Sequence, residues 1–64
     1  MTAKDVIRRL KAEGWRKQRS VGSHLHFFHP DKPGRVTVPM HGGDLDLRTL
    51  ISIERQAGIS LRKP

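Results

Sequence analysis

The side chains of this sequence that could carry out chemistry are its four histidines, at positions 24, 26, 29 and 41; the chain has no cysteine and no tyrosine. Imidazole has an unperturbed pKa of about 6.5, so it exchanges protons readily at neutral pH. His24 and His26 are separated by one residue in a segment of alternating character. A strand would place both on one solvent-facing side, about 7 Å apart.

A metal site is the first alternative for these histidines. His24, His26 and His29 form an H-x-H-x₂-H pattern, but strand alternation sends His29 to the opposite face. His41 would have to fold back, and no thiolate is present to complete a zinc site. We therefore expect no metal ion and no other cofactor.

RNA cleavage is the chemistry that suits the surroundings of His24. This residue directly follows Gly22-Ser23, a turn whose backbone N–H groups could approach a phosphate. Imidazole there could remove a 2′-hydroxyl proton, after which that oxygen attacks the adjacent phosphorus and an acid protonates the departing 5′ oxygen. We take His24 as the candidate general acid or base and His26 as its helper. Three arginines are expected nearby: Arg16, Arg19 and Arg35.

The charge of the chain also favours a polyanion. Thirteen Lys and Arg face six Asp and Glu, for a net charge of +7. Small proteins this basic usually bind nucleic acid, anionic lipid or an acidic protein, although a charged surface also serves solubility. We expect RNA to be the partner, and the candidate RNA-binding residues are Lys4, Arg8, Arg16, Arg19, Ser23, His26 and Arg35.

The length allows one domain, residues 1–64, with an ordered core at about 2–60 and a basic tail at 61–64. A chain this short buries only roughly 60% of its unfolded surface, so a partner that stabilises it is expected. No long apolar run is present at the N-terminus, which argues against a signal peptide and a membrane span. The lack of cysteine fits a cytoplasmic protein.

Periodicity and turn residues predict the order α-β-β-β-α. The first helix covers residues 2–13, with Thr2 and Asp5 as a capping box and Gly14 as its stop. Strands are predicted at 15–20, 23–29 and 35–39, separated by turns at Val21-Gly22 and at 32–35. The second helix begins at Asp46, with Asp44 as the alternative N-cap, and ends before Gly58.

This order predicts an α+β fold, in which both helices cover one face of a three-stranded antiparallel sheet. The residues expected beneath the helices are Leu25, Phe27, Val36 and Val38. The other face, with His24 and His26, would remain in water. Lys17 stands where alternation in the first strand calls for an apolar residue.

A set of short motifs resembles the HicA family of bacterial toxins. Members of that family belong to type II toxin–antitoxin systems and act as mRNA interferases. The motifs are Gly14-Trp15, Arg19, Gly22-Ser23-His24, Phe27, His29-Pro30, Val36-Thr37-Val38-Pro39, His41, Thr49, Ile53 and Gln56-Ala57-Gly58-Ile59-Ser60.

The resemblance implies a double-stranded-RNA-binding-domain-like fold, translation arrest by mRNA cleavage, and neutralisation by a HicB antitoxin that covers the active site. It also implies that His24, in the Gly-Ser-His motif, is the catalytic histidine. The sequence departs from the family at Leu25, where members often have a second histidine, and at Lys17, where they tend to be apolar.

The sequence is also compatible with two other classes of function. One is an RNA-binding module without catalysis, which needs basic helices but not His24. The other is an interaction protein whose charge serves only an acidic partner.

Overall fold

Two helices and three antiparallel strands follow one another in the predicted order, which confirms the α+β class. The computed structural model of the protein describes residues 1–62. The elements are α1 (Ala3–Ala12), β1 (Arg16–Val21), β2 (His24–Phe28), β3 (Val36–Pro39) and α2 (Leu47–Ala57).

Helix α1 begins at the predicted capping box. The Thr2 hydroxyl accepts the Asp5 N–H at 3.2 Å, and the Asp5 carboxylate accepts the Thr2 N–H at 2.9 Å. Gly14 ends the helical run with a φ of 95°, a conformation that residues with a Cβ rarely adopt. A Cβ there would also lie only 2.7 Å from the His29 ring. Both the backbone conformation and the lack of space therefore favour glycine at this position.

Helix α2 begins at Asp46, whose carboxylate accepts the Thr49 N–H at 2.8 Å, so the first choice of N-cap is confirmed. Asp44, the alternative N-cap, instead forms an isolated β-bridge with Thr2, and its carboxylate lies 3.4 Å from the N-terminal amine. Gly58 ends the helix in the left-handed region, as predicted.

The strands pair in the order β1-β2-β3, and their register places the predicted apolar side chains on one face. Phe27 lies opposite Val36, and Leu25 lies opposite Val38. Phe27, Val36 and Val38 are fully buried and Leu25 is half-buried, in one core with residues of both helices. Because residues of both helices share this one core with Phe27, Val36 and Val38, the two helices lie on the same face of the sheet.

Strand β1 is exposed along its whole length, which explains Lys17. Trp15, just before the strand, is buried, but Lys17 lies opposite Phe27 and still remains in water. The helices lie over β3, so β1 extends beyond their cover and needs no apolar side chain there. The register shifts between Lys17 and Arg19, and such a bulge, with charged neighbours, protects an exposed edge from pairing with other chains.

The C-terminal segment shows that the ordered core ends later than predicted. Leu61 is buried in the core, and its N–H donates to Glu54 at 2.8 Å. Arg62 forms an ion pair with the same carboxylate at 3.0 Å. The core therefore extends past residue 60, and Leu61 and Arg62 do not belong to the loose tail predicted there. Lys63 and Pro64 lie outside the described residues.

Within residues 1–62, neither helix has the length and apolar composition that crossing a membrane requires.

The ties at Glu54 predict a pH dependence of stability. Hydrogen bonds from the Leu61 backbone and from Arg62 hold the pKa of Glu54 below its ordinary value of 4.5. A lowered folded-state pKa gives a stabilisation that is complete above the unfolded value and is lost as the pH falls through the folded value. We expect Glu54→Gln to have a lower melting temperature than wild type at neutral pH. The difference between the two melting temperatures should become smaller below pH 4.5.

Thermal melts from neutral to acidic pH check this expectation. Asp31→Asn is the matched control, because the Asp31 carboxylate accepts no hydrogen bond within residues 1–62. A gap for Glu54→Gln that stays constant into the acid range would contradict the role given to the carboxylate.

Candidate functional site

The face of the sheet opposite the helices carries most of the predicted site residues, and we call it the outer face. Strand register assigns it these residues: Arg16, Arg19, Val21, His24, His26, Phe28, Thr37 and Pro39. His24 is the first residue of β2, between Val21 on one side and Pro39 on the other. Its side chain is exposed, so solvent and solutes reach the imidazole.

The two neighbouring histidines on this face differ in their surroundings. The Nδ1 atom of His26 lies 3.0 Å from the Thr37 hydroxyl, and the residue is half-buried between β1 and β3. The imidazole of His24 has no hydrogen-bond partner within residues 1–62, so neither of its ring nitrogens is engaged by the protein. Of the two histidines, His24 is the more exposed, while His26 keeps only its Nε2 without a partner among these residues.

An open groove of about 350 Å³ adjoins His24. Its sheet side consists of His24, Thr37 and Pro39. Its other side is contributed by α2, through Arg48, Thr49, Ser52, Ile53 and Gln56. The groove exists because α2 lies along the outer edge of the sheet at β3.

A short chain of hydrogen bonds fixes this wall of the groove. The Thr37 N–H points out of the sheet at the edge of β3 and donates to Oε1 of Gln56 at 2.8 Å. The Nε2 group of Gln56 then donates to the Ser52 hydroxyl oxygen at 2.9 Å. Because the backbone N–H requires an oxygen as its partner, the orientation of the Gln56 amide follows from these contacts.

The positive charge at the groove comes from Arg48. Its guanidinium forms no ion pair with a carboxylate within residues 1–62. The nearby Asp46 is engaged by Thr49: hydrogen bonding from the side chain and the backbone of Thr49 holds the pKa of Asp46 below its ordinary value, and the charge of Arg48 adds a smaller effect. Asp46 is therefore a carboxylate bound to the helix end, and the charge of Arg48 remains available.

The predicted cations lie in three places. Arg16 and Arg19 lie on the outer face, with Arg19 directly opposite His26. Lys4 and Arg8 lie on the exposed side of α1, and the core separates them from the outer face. Arg35 is exposed immediately before β3.

Ser23 lies next to His24 in the turn between β1 and β2. The turn is formed by Gly22 and Ser23, one residue later than predicted, because β1 continues to Val21. Gly22 takes a φ of 58°, and the Ser23 carbonyl accepts the Met40 N–H at 2.6 Å. The hydrogen bond between Ser23 and Met40 holds the turn against the end of β3.

The other two histidines have different positions. His29 Nδ1 accepts the Asp31 N–H at 3.0 Å, so Nε2 carries the proton that is donated to the Glu13 carbonyl at 3.0 Å. Its ring also packs edge-on against Trp15, with centroids 5.2 Å apart. His41 binds the neighbouring Gly42 carbonyl. Within residues 1–62, no three His, Asp or Glu side chains come together in a way that could hold a metal ion.

The sequence interpretation missed the α2 side of the groove. Arg48, Ser52 and Gln56 recur every fourth residue, which places them along one side of the helix. That polar stripe was visible in the sequence. What could not be read there is that α2 would place it beside His24.

The fold and the groove together define a small, basic α+β protein in which an exposed histidine, His24, shares a groove with Arg48. A family model described as HicA toxin of bacterial toxin–antitoxin matches residues 3–59. The chain belongs to this family, and the family resemblance drawn from its motifs is confirmed. It is thus a toxin of a toxin–antitoxin system and has an antitoxin as its partner. The comparison with curated proteins gives no match.

The hydrogen bond from Thr37 to Gln56 leads to a residue-specific prediction. In Gln56→Ala the Thr37 N–H loses its partner, which costs about 1 kcal/mol, so its exchange with solvent deuterons should accelerate roughly fivefold. Ser52→Ala is the control, because it removes the second hydrogen bond and leaves the first. Hydrogen exchange followed by NMR measures both. Equal exchange of Thr37 in wild type and Gln56→Ala would show that this contact does not hold α2 to the edge.

Proposed function

We propose that this toxin is a metal-independent endoribonuclease, an mRNA interferase, in which His24 acts as general acid or base. By cleaving mRNA in the cytoplasm it arrests translation. The observation that carries the proposal is the exposed, unpartnered imidazole of His24 at a groove that also contains Arg48.

The reaction needs only groups that the RNA, the protein and solvent water supply. A base removes the proton of a 2′-hydroxyl, and the 2′ oxygen attacks the adjacent phosphorus. The bond from phosphorus to the 5′ oxygen breaks, and that oxygen takes up a proton. The products are a 2′,3′-cyclic phosphate and a 5′-hydroxyl. His24 serves one of the two proton transfers, and solvent water serves the other.

RNA binding is supported by the charges on the outer face. Arg16, Arg19 and His26 share this face with His24, and Ser23 precedes His24 in the turn. We propose that they contact the RNA backbone close to the cleaved bond. Lys4, Arg8 and Arg35 would contact more distant nucleotides of a longer RNA. The element order agrees with the proposed likeness to double-stranded-RNA-binding domains.

We further propose that the antitoxin is of the HicB type and covers His24. The outer face combines arginines with apolar side chains in water: Val21 is 52% exposed and Phe28 is 37% exposed. An acidic partner with apolar contacts would match both features. Docking there would keep mRNA away from His24.

The first prediction of this proposal is that His24→Ala loses about 10²–10⁴-fold in cleavage rate, the usual contribution of a general acid or base. The fold should survive because the side chain is exposed. The assay is RNA cleavage on a gel in the presence of EDTA, with circular dichroism of each protein.

His41→Ala is the matched control, since His41 is also exposed but does not line the groove. Full activity of His24→Ala would rule out the assigned role. If no protein cleaves RNA but all bind it, the toxin is instead an RNA-binding module without catalysis. If none binds RNA, the charge serves a protein partner.

The second prediction concerns the antitoxin. Titration of the product of the neighbouring antitoxin gene should abolish cleavage. It should also raise the melting temperature, because a partner at 1,000 times its Kd adds about 4 kcal/mol to the free energy of unfolding. Continued cleavage at saturating antitoxin would contradict docking over His24.

A further inference from the structure

The α2 side of the groove contains a cation that helix stability does not explain. Arg48 is the second residue of α2, and the first turn of this helix contains no acidic residue. Positive charge near a helix N-terminus opposes the helix dipole, by up to about 1 kcal/mol at an exposed site. Arg48 is exposed and has no carboxylate partner within residues 1–62. Attraction to the N-cap carboxylate of Asp46 offsets part of this effect, so the charge of Arg48 adds little to the stability of the helix.

Ser52, one turn further along, can donate a proton into the same groove. Its hydroxyl oxygen already accepts from Nε2 of Gln56 at 2.9 Å. Gln56 is in turn held by the Thr37 N–H at 2.8 Å. The hydroxyl hydrogen of Ser52 is therefore free for an acceptor other than Gln56, and the side chain is exposed.

Two free donors, one of them a guanidinium, thus lie along the groove that His24 adjoins. Guanidinium groups bind phosphate oxygens through paired, charge-assisted hydrogen bonds. A cationic ligand would be repelled by the guanidinium, and a neutral one would gain hydrogen bonds without the attraction between opposite charges. The set of donors suits one phosphodiester held between α2 and His24.

We propose that Arg48, with the hydroxyl of Ser52, binds the phosphodiester on which His24 acts. The inference rests on the proposed function, since it names the residues that hold the substrate in the same site. When the 2′ oxygen attacks, negative charge on the phosphate oxygens grows, and Arg48 stabilises that charge more than it stabilises the bound RNA. Arg48 therefore contributes to the rate of the chemical step as well as to binding.

The test is the single-turnover cleavage rate of a single-stranded RNA at saturating toxin, with EDTA. Arg48→Gln should slow the reaction by about 10²-fold. Arg48→Lys, which keeps the charge but not the paired donors, should lose less. Because a cation is removed from the positive helix end, the melting temperature of Arg48→Gln should equal or exceed that of wild type.

Arg55→Gln is the matched control. Arg55 lies on the same helix and its substitution removes the same charge. It lines an adjoining groove, to which Arg48 and Ser52 also contribute, but which does not include His24. Its cleavage rate should stay close to wild type. An equal loss in Arg48→Gln and Arg55→Gln would mean that net charge is responsible, and would overturn the inference. So would a lowered melting temperature of Arg48→Gln that accounts for its loss of activity.

His24→Ala, measured in parallel, separates this inference from the proposed function. If His24→Ala is inactive and Arg48→Gln cleaves at the wild-type rate, the role of Arg48 is wrong and that of His24 stands. If His24→Ala also cleaves at the wild-type rate, the proposed function fails, and the inference fails with it.

Discussion

The hydrogen bond from the Thr37 N–H to Gln56 joins the open edge of β3 to helix α2. An open sheet of three strands has two edges with unpaired backbone groups, and each must be covered or made unattractive to other chains. Helix α2 covers the β3 edge and supplies a side-chain acceptor to it. That placement brings Arg48, Ser52 and Gln56 into one groove with His24. The packing of α2 that covers the edge therefore also forms the groove.

The β1 edge is protected differently, and the difference shapes the surface. Strand β1 pairs with β2 along one edge only, and its other edge is open. A bulge and several charged side chains protect that open edge. The residues that protect the edge, Arg16 and Arg19, are also the cations of the outer face. Protection against aggregation and attraction of a polyanion are thus served by the same side chains.

The small size of the core explains the recruitment of loop residues. Leu45 and Leu61 lie outside the helices and strands but are buried with them. Trp15 is also buried, and its Nε1 group has no hydrogen-bond partner within residues 1–62, a deficit of about 1–3 kcal/mol. A chain with so little reserve benefits from a bound partner, as a toxin held by its antitoxin would.

Local signals made most of the fold predictable. The Thr2–Asp5 capping box, the Asp46 N-cap and the alternation in β2 and β3 each depend on residues close together in the chain. The exposure of β1 and the burial of Leu61 depend on which elements lie over which, and short sequence patterns do not contain that information.

The candidate site divides in the same way. His24 followed from its motif and from strand alternation, whereas Arg16 and Arg19 were chosen for their charge. Simple alternation would place Arg19 on the same face as Lys17, and the bulge between these two residues brings Arg19 to the outer face. Lys4 and Arg8 were grouped with them by charge, but the stacking of α1 on the core places them on the other side of the protein. The contribution of α2 required the tertiary fold, because 24 residues separate His24 from Arg48.

The central claim is that RNA binds in the groove between His24 and α2, and NMR mapping tests it most directly. Catalytically inactive His24→Ala protein would be titrated with a short single-stranded RNA while backbone amide shifts are followed. The account predicts shifts in β2, in β3 and along α2 from Arg48 to Gln56, with α1 unchanged. Shifts confined to the exposed side of α1, around Lys4 and Arg8, would contradict it.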